Sequence, residues 1–261
     1  MEHLLLDDGL PLHYRVEGDA SAPALVFSNS LGADLHMWDA EAASLGDMFC
    51  IVRYDTRGHG RSGVPRAPAT IERLGRDLLA LLDHLAIERA HVCGLSLGGL
   101  TAQWLAVHAP RRVGRLVLSN TAARIGSEAS WDARLAAVAG GGMGAIVGPV
   151  LARFFAPAFR AAHPQTVARF HDTLCATDPA GYGACCAALR DADLRPHVAS
   201  IAAPTLVVAG SLDEATPPAQ AEELRVAIPG SALVILDGAA HLANVERPEA
   251  FAAHLRQFLA A

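Results

Sequence analysis

The chain has 261 residues, of which 52% are hydrophobic and 18% charged, and a formal net charge of −6 at pH 7. These values exclude a disordered chain, and no stretch reaches the roughly 18 uninterrupted apolar residues of a membrane span, so one large or two small globular α/β domains are expected. The acidic balance speaks against nucleic acid and anionic membrane as partners, and the absence of lysine excludes Schiff-base chemistry and lysine-linked pyridoxal or biotin.

The start, Met1 to Asp8, has acidic residues on both sides of a leucine run and lacks the basic region and long apolar core of an export signal. The cytoplasm is the expected compartment. Five cysteines, an odd number, include no C-x-x-C pair with zinc spacing, and Cys185 and Cys186 are adjacent in a helical stretch, so all are expected to be reduced and structural. Two short strands, His3 to Leu6 and Leu12 to Glu17, flank a turn over 7–11 and read as a hairpin edge.

Ala24 to Phe27 is uniformly apolar, as a strand buried on both faces must be, and runs into Ser28-Asn29-Ser30-Leu31-Gly32. A loop leaving the carboxyl end of a central strand can turn the N–H of Leu31 toward a reacting carbonyl oxygen. Phe49 to Tyr54 is the next strand, followed by the polar loop Asp55-Thr56-Arg57-Gly58-His59-Gly60-Arg61-Ser62. No helix start with Lys and Ser or Thr follows these glycines at phosphate-loop spacing, which favours Asp and Arg bracing neighbouring loops over a phosphate cradle. Leu74, Leu78, Leu81, Leu82 and Leu85 then recur at helical spacing within Ile71 to Leu85.

The chain is organised around Cys93-Gly94-Leu95-Ser96-Leu97-Gly98-Gly99, which follows the run Ala90 to Val92 and opens a helical stretch from Leu97 to Ala109. A serine between glycines at this spacing predicts strand, tight turn and helix, with Ser96 in a strained backbone conformation and its hydroxyl pushed out above the sheet. The N–H of Leu97, in the first turn of the helix, has no intrahelical partner and points the same way. Arg115 to Leu118, Thr205 to Ala209 and Ala232 to Leu236 are further buried strands. Alternation of this kind implies a mostly parallel sheet with helices on both faces.

From about Asn120 to Ala203 the alternation stops. The stretch reads as four helices: Ser130 to Ala139 ending at Gly140-Gly141-Gly142, a piece from Met143 to Phe154, Pro164 to Ala176, and one that Asp178 caps ahead of Pro179. One crossover needs fewer, so residues 123–202 are expected to form a helical lid over Ser96, with 1–122 and 203–261 as the core.

A serine hydroxyl is a weak nucleophile until a base takes its proton, and that base needs a third group to fix its tautomer. Asp213 and His241 lie in loops after the strands ending at Gly210 and Leu236, in the order Ser, Asp, His that nucleophile-elbow enzymes use. Asp237 and Glu214 are the alternatives for the acid. No metal or organic cofactor is needed for such chemistry.

These motifs resemble the α/β-hydrolase superfamily over nearly the whole chain, with Asp55 to Ser62 matching its D-x-R-G-x-G-x-S loop. The resemblance implies an eight-stranded, mostly parallel sheet. Within the superfamily, Asn29 to Gly32 with Asp34 to Asp39, Arg53 to Gly60, Cys93 to Gly99, Asp178 to Tyr182 and Cys185-Cys186 are similar to the 3-oxoadipate enol-lactonases. That similarity implies opening of an enol-lactone that bears an acetate arm, a small carboxylate-bearing substrate in aromatic catabolism. Because the chain is acidic overall, a local cation should offset repulsion of the substrate carboxylate. Trp131 and Arg134, three apart on one helical face, could present a flat wall and a bidentate fork, or could simply pack the lid. Another serine hydrolase of the superfamily (a carboxylesterase, carbon–carbon hydrolase or cofactor-free perhydrolase) and a non-catalytic receptor are the rival readings.

Overall fold

The computed structural model describes residues 2–260. Eight strands form one sheet: β1 (Glu2–Leu5), β2 (Pro11–Glu17), β3 (Ala24–Ser28), β4 (Cys50–Tyr54), β5 (Ala90–Leu95), β6 (Val113–Ser119), β7 (Thr205–Gly210) and β8 (Ala232–Leu236). Their spatial order is β1-β2-β4-β3-β5-β6-β7-β8. β1 and β2 pair as the expected antiparallel hairpin, β2 meets β4 antiparallel, and every pairing from β4 to β8 is parallel. Every residue of β4 and β7 is buried, because a parallel strand in mid-sheet carries cover on both faces; β8, at the edge, is buried at Leu236 alone.

The helices are α1 (Asp39–Leu45), α2 (Ile71–His84), α3 (Leu97–His108), α4 (Glu128–Gly141), α5 (Val147–Phe154), α6 (Pro157–Ala162), α7 (Pro164–Ala176), α8 (Pro179–Asp191), α9 (Pro218–Ala227), α10 (Ala243–Glu246) and α11 (Pro248–Ala260). α2 packs on α3 and α1 on α11. Thr70 caps α2 by accepting from Arg73 N, and the buried leucines 74, 78, 81 and 82 are those whose spacing predicted the helix. Among the described residues no helix is long and apolar enough to cross a membrane. All five cysteines are free, four of them buried and Cys175 exposed.

Between β6 and β7 the chain is helical, but it holds five α-helices where four were expected. The extra one, α6, is a six-residue piece with Pro157 in its first turn, too short to show an apolar period. The Met143 to Phe154 piece divides into a 3-10 turn at Met143–Ala145 and α5, and α4 starts earlier than expected, under a Ser127–Ser130 capping box. Asp178 caps α8 through Ala180 N and Gly181 N, as predicted. That helix descends onto the Asp55 to Ser62 loop so closely that a Cβ at Gly181 would stand 2.5 Å from the Gly58 carbonyl oxygen. Backbone meets backbone there, which glycine at both positions permits.

Candidate active site

The strand order reverses around β3: the chain steps from β3 to β4 on one side and then to β5 on the other. In an open α/β sheet the crevice beyond the carboxyl ends at such a switch point collects ligands. The two loops that leave there are Asn29 to Gly32 and the turn at Ser96.

Ser96 has φ 56° and ψ −113°, the positive-φ strain predicted for it. Its surroundings hold that conformation in place. Ser96 N donates to Ser119 O at 3.1 Å, Thr121 Oγ1 donates to Ser96 O at 2.9 Å, and Gly98 N donates to Asn29 O at 2.9 Å. A Cβ at Gly94 would strike Gly98 O and one at Gly98 would strike Ser28 O, so the glycines are needed for close approach. Ser96 is 6% exposed, and its hydroxyl takes no hydrogen-bond partner among the described residues. The backbone N–H groups of Leu31 and Leu97 are likewise free of internal partners, Leu97 because it opens α3.

Asp213 and His241 meet as the sequence predicted: His241 Nδ1 lies 2.9 Å from Asp213 Oδ2. The carboxylate is saturated. Oδ1 accepts from Ala215 N and Thr216 N, and Oδ2 from Thr216 Oγ1 and from Asn120 Nδ2 as well as the imidazole. Burial by itself would raise the Asp213 pKa; the His241 charge, its hydrogen bond, the Asn120 amide and the Thr216 N–H outweigh that and bring it down to about 2. An ionised carboxylate at Nδ1 holds the ring proton there and leaves Nε2 as acceptor. Asp237 instead accepts from Ser211 Oγ, and Glu214 is exposed, so neither alternative acid reaches the histidine.

Ser96 and His241 line one cavity of about 330 Å³, together with Leu31, Ser30, Ala215 and residues of α4 and α5. No hydrogen bond joins Ser96 Oγ to the imidazole; in free enzymes such bonds are commonly long and close on substrate binding. Trp131 and Arg134 both line the cavity, with the guanidinium 5.4 Å from the indole centroid. Trp131 Nε1 donates to Ile125 O at 2.7 Å and Arg134 Nη1 to Tyr182 OH at 3.2 Å, which leaves the guanidinium without an acidic partner.

Sequence reasoning missed three residues. Asn120 and Thr216 complete the Asp213 shell, and Asn120 carries one signal, a position directly after a strand. Arg153 lines the cavity beside Arg134, and its side chain pairs with no described residue; its helix faces the site only through tertiary packing. The Asp55 to Ser62 loop is a brace. Asp55 accepts from Leu35 N, Arg61 N and His13 Nδ1, while Arg57 pairs with buried Asp77.

Comparison with known proteins agrees with this geometry. The profile of the alpha/beta hydrolase fold matches residues 23–141 and that of TAP-like proteins residues 174–261. The chain is 44% identical to 3-oxoadipate enol-lactonase 2 of Acinetobacter baylyi over 92% of this chain and 90% of that one. It is 32% identical to a putative carbamate hydrolase RutD of Agrobacterium fabrum over 95% and 98% of the two chains. The crystal structure of the enol-lactonase from Burkholderia xenovorans LB400 superposes with a TM-score of 0.97 at 44% identity, covering all of both chains. With the sheet order, the elbow at Ser96 and these matches in hand, the chain belongs to the α/β-hydrolase family, as a carboxylic ester hydrolase.

Proposed function

We propose that the protein opens 3-oxoadipate enol-lactone to 3-oxoadipate in the cytoplasm, with Ser96 as nucleophile, His241 as base and then acid, and Asp213 as the group that orients the imidazole. The observation that carries this reading is the cavity wall. Two arginines, Arg134 and Arg153, line it beside Ser96 and His241, and no Asp or Glu does, in a protein whose net charge is −6. Such a chamber suits a small substrate with a carboxylate, as the acetate-bearing lactone is. The 44% identity to a 3-oxoadipate enol-lactonase supports the same substrate.

In this reading residues 123–202 are a cap over the core formed by 1–122 and 203–261. Ser96 Oγ attacks the ring carbonyl while His241 Nε2 takes its proton, and the Leu31 and Leu97 N–H groups hold the oxyanion. The ring C–O bond then breaks. The departing enolate oxygen receives the proton from His241, and conversion of the enol to the ketone removes the group that could reclose the ring. Water, deprotonated by His241, attacks the acyl-serine and releases the second carboxylate.

The test follows loss of enol-lactone absorbance in the ultraviolet on adding pure protein, beside a panel of neutral p-nitrophenyl esters and a simple carbamate. The lactone is expected to give a kcat/KM at least about 100-fold above the neutral esters, two charge-assisted contacts being lost with them. Preference for the carbamate would favour the RutD-like reading, and preference for a neutral ester a general carboxylesterase.

A further inference from the structure

The last residue of β3 and the loop that leaves it carry three successive polar side chains, and two of them are spoken for. Ser28 Oγ lies 2.7 Å from Tyr54 OH. Asn29 uses both ends of its amide, donating from Nδ2 to Tyr54 O at 2.8 Å and accepting at Oδ1 from Trp38 Nε1 at 3.0 Å. The third, Ser30, is 2% exposed, and its hydroxyl meets no donor or acceptor among the described residues.

The oxygen is not one of the sealed polar atoms left without a partner, so it opens on the cavity, where an unpaired hydroxyl is free to meet a ligand. Ser30 lines the cavity with Leu31, Ser96 and His241. Its backbone is pinned on both sides: Gly98 N donates to Asn29 O at 2.9 Å, Ser30 N to Met37 Sδ at 3.4 Å, and Ala33 N to Ser30 O at 3.2 Å. The side chain therefore stands on a rigid loop, one residue before the free N–H of Leu31. A serine hydroxyl and the amide of the following residue can converge on one acceptor, and a hydroxyl can rotate its proton toward charge as it develops.

We propose that the Ser30 hydroxyl is a catalytic residue, a third donor to the substrate's carbonyl oxygen as it becomes an oxyanion, beside the N–H groups of Leu31 and Leu97. The proposal rests on the reading of Ser96 and Leu31 given above, but not on the identity of the lactone. A hydrogen bond that strengthens as the oxygen gains charge lowers the barrier without tightening the ground-state complex, so its loss falls on kcat and leaves KM in place.

The test compares wild type with Ser30→Ala and with Ser30→Cys, which keeps similar bulk with a poor donor. Kinetics are measured on p-nitrophenyl acetate and on the enol-lactone, and affinity is measured for phenylboronic acid, which forms a tetrahedral adduct on an active serine. The expected result is a kcat lower by about 10- to 100-fold on both substrates with KM within about twofold, and boronate affinity reduced by a similar factor, at an unchanged melting temperature. A merely structural role would shift the melting temperature instead. Unchanged kcat on the acetate, a loss confined to KM, or a loss confined to the lactone would each overturn the proposal. Failure to turn over the lactone at all would count against the substrate reading alone, since the acetate and boronate arms still judge Ser30.

Discussion

Asp213, the acid of the proposed triad, shows how much of a side chain's behaviour is set by what touches it. Its two oxygens accept from Ala215, Thr216, Asn120 and His241, and its pKa lies at about 2, so it stays ionised throughout the neutral range. Asp213→Asn would place an amide N–H against Nδ1, force the proton to Nε2 and remove the acceptor that Ser96 needs. The expected fall in kcat is about 10³- to 10⁴-fold, with Ser96→Ala lower still; a silent Asp213→Asn beside a damaging Asp237→Asn would reverse the choice of acid. Arg134 makes a prediction of a different kind. Its guanidinium has Tyr182 OH and the Trp131 face as partners but no carboxylate, so Arg134→Leu should raise KM for the carboxylate-bearing lactone by roughly 10- to 100-fold, about 1.5 to 3 kcal/mol. The neutral ester serves as control. Equal effects on both substrates would mean that the side chain supports the helix and nothing more.

Between elements, the end of α5 and the loop that carries His241 are bonded into one unit. His241 N donates to Arg153 O at 3.4 Å and Leu242 N to Phe154 O at 2.9 Å, while the Phe154 ring lies against the imidazole at 6.1 Å. Glu246 at the end of α10 completes the link, since its Oε1 accepts from Ala240 N at 3.0 Å and from Ala156 N at 3.1 Å. This carboxyl is buried, and burial raises its pKa against the opposing pull of those two N–H donors. Glu246→Leu would orphan both donors, at about 1 to 3 kcal/mol each, and free the histidine loop from the helices. Amide hydrogen exchange should therefore quicken together at 154–156 and 240–242, with kcat lower by about tenfold, whereas Glu246→Gln, which keeps an acceptor oxygen, should stay close to wild type. Faster exchange in one segment without the other would show that Glu246 does not couple them.

The whole molecule carries a pH dependence outside the active site. Glu41 is fully buried; Asn244 Nδ2 donates to its Oε2 at 3.4 Å, and its Oε1 has no partner among the described residues. Burial pushes its pKa up to about 8 from the ordinary 4.5. Because the folded carboxyl binds its proton more tightly than the unfolded one, the folded state holds the extra proton between these two values, and stability declines as pH rises from about 4.5 to about 8. The decline is on the order of 3 to 5 kcal/mol. Thermal unfolding of Glu41→Gln at pH 5 and at pH 8.5 reads it: the variant should match wild type at the acid end and melt higher at the alkaline end. Parallel melting curves at both pH values would rule Glu41 out as the source.

Much of this architecture is local in origin and therefore legible in the chain itself. A strand covered on both faces has to be largely apolar, so β3, β5, β6 and β7 announce themselves as short apolar runs, and β8 reads the same way although, as an edge strand, it is buried at Leu236 alone. The turn at Ser96 needs glycine at fixed offsets because backbone approaches backbone there, and that requirement also reads directly from the residues. The loops of Asp213 and His241 are placed by the apolar runs before them, and the choice of these two residues rests on the order Ser, Asp, His that nucleophile-elbow enzymes use. Asn120 and Thr216, Arg153, Glu246 and the hydroxyl of Ser30 were not legible, because their meaning lies in contacts that cross the chain: Asn120 reaches Asp213 over 93 positions and Glu246 reaches Ala156 over 90. The short helix α6 escaped for a related reason, as six residues hold too little of a period to reveal the face they bury. Sequence settles what each segment must be when its own backbone and burial dictate it, and only the folded chain decides which distant polar groups share a partner.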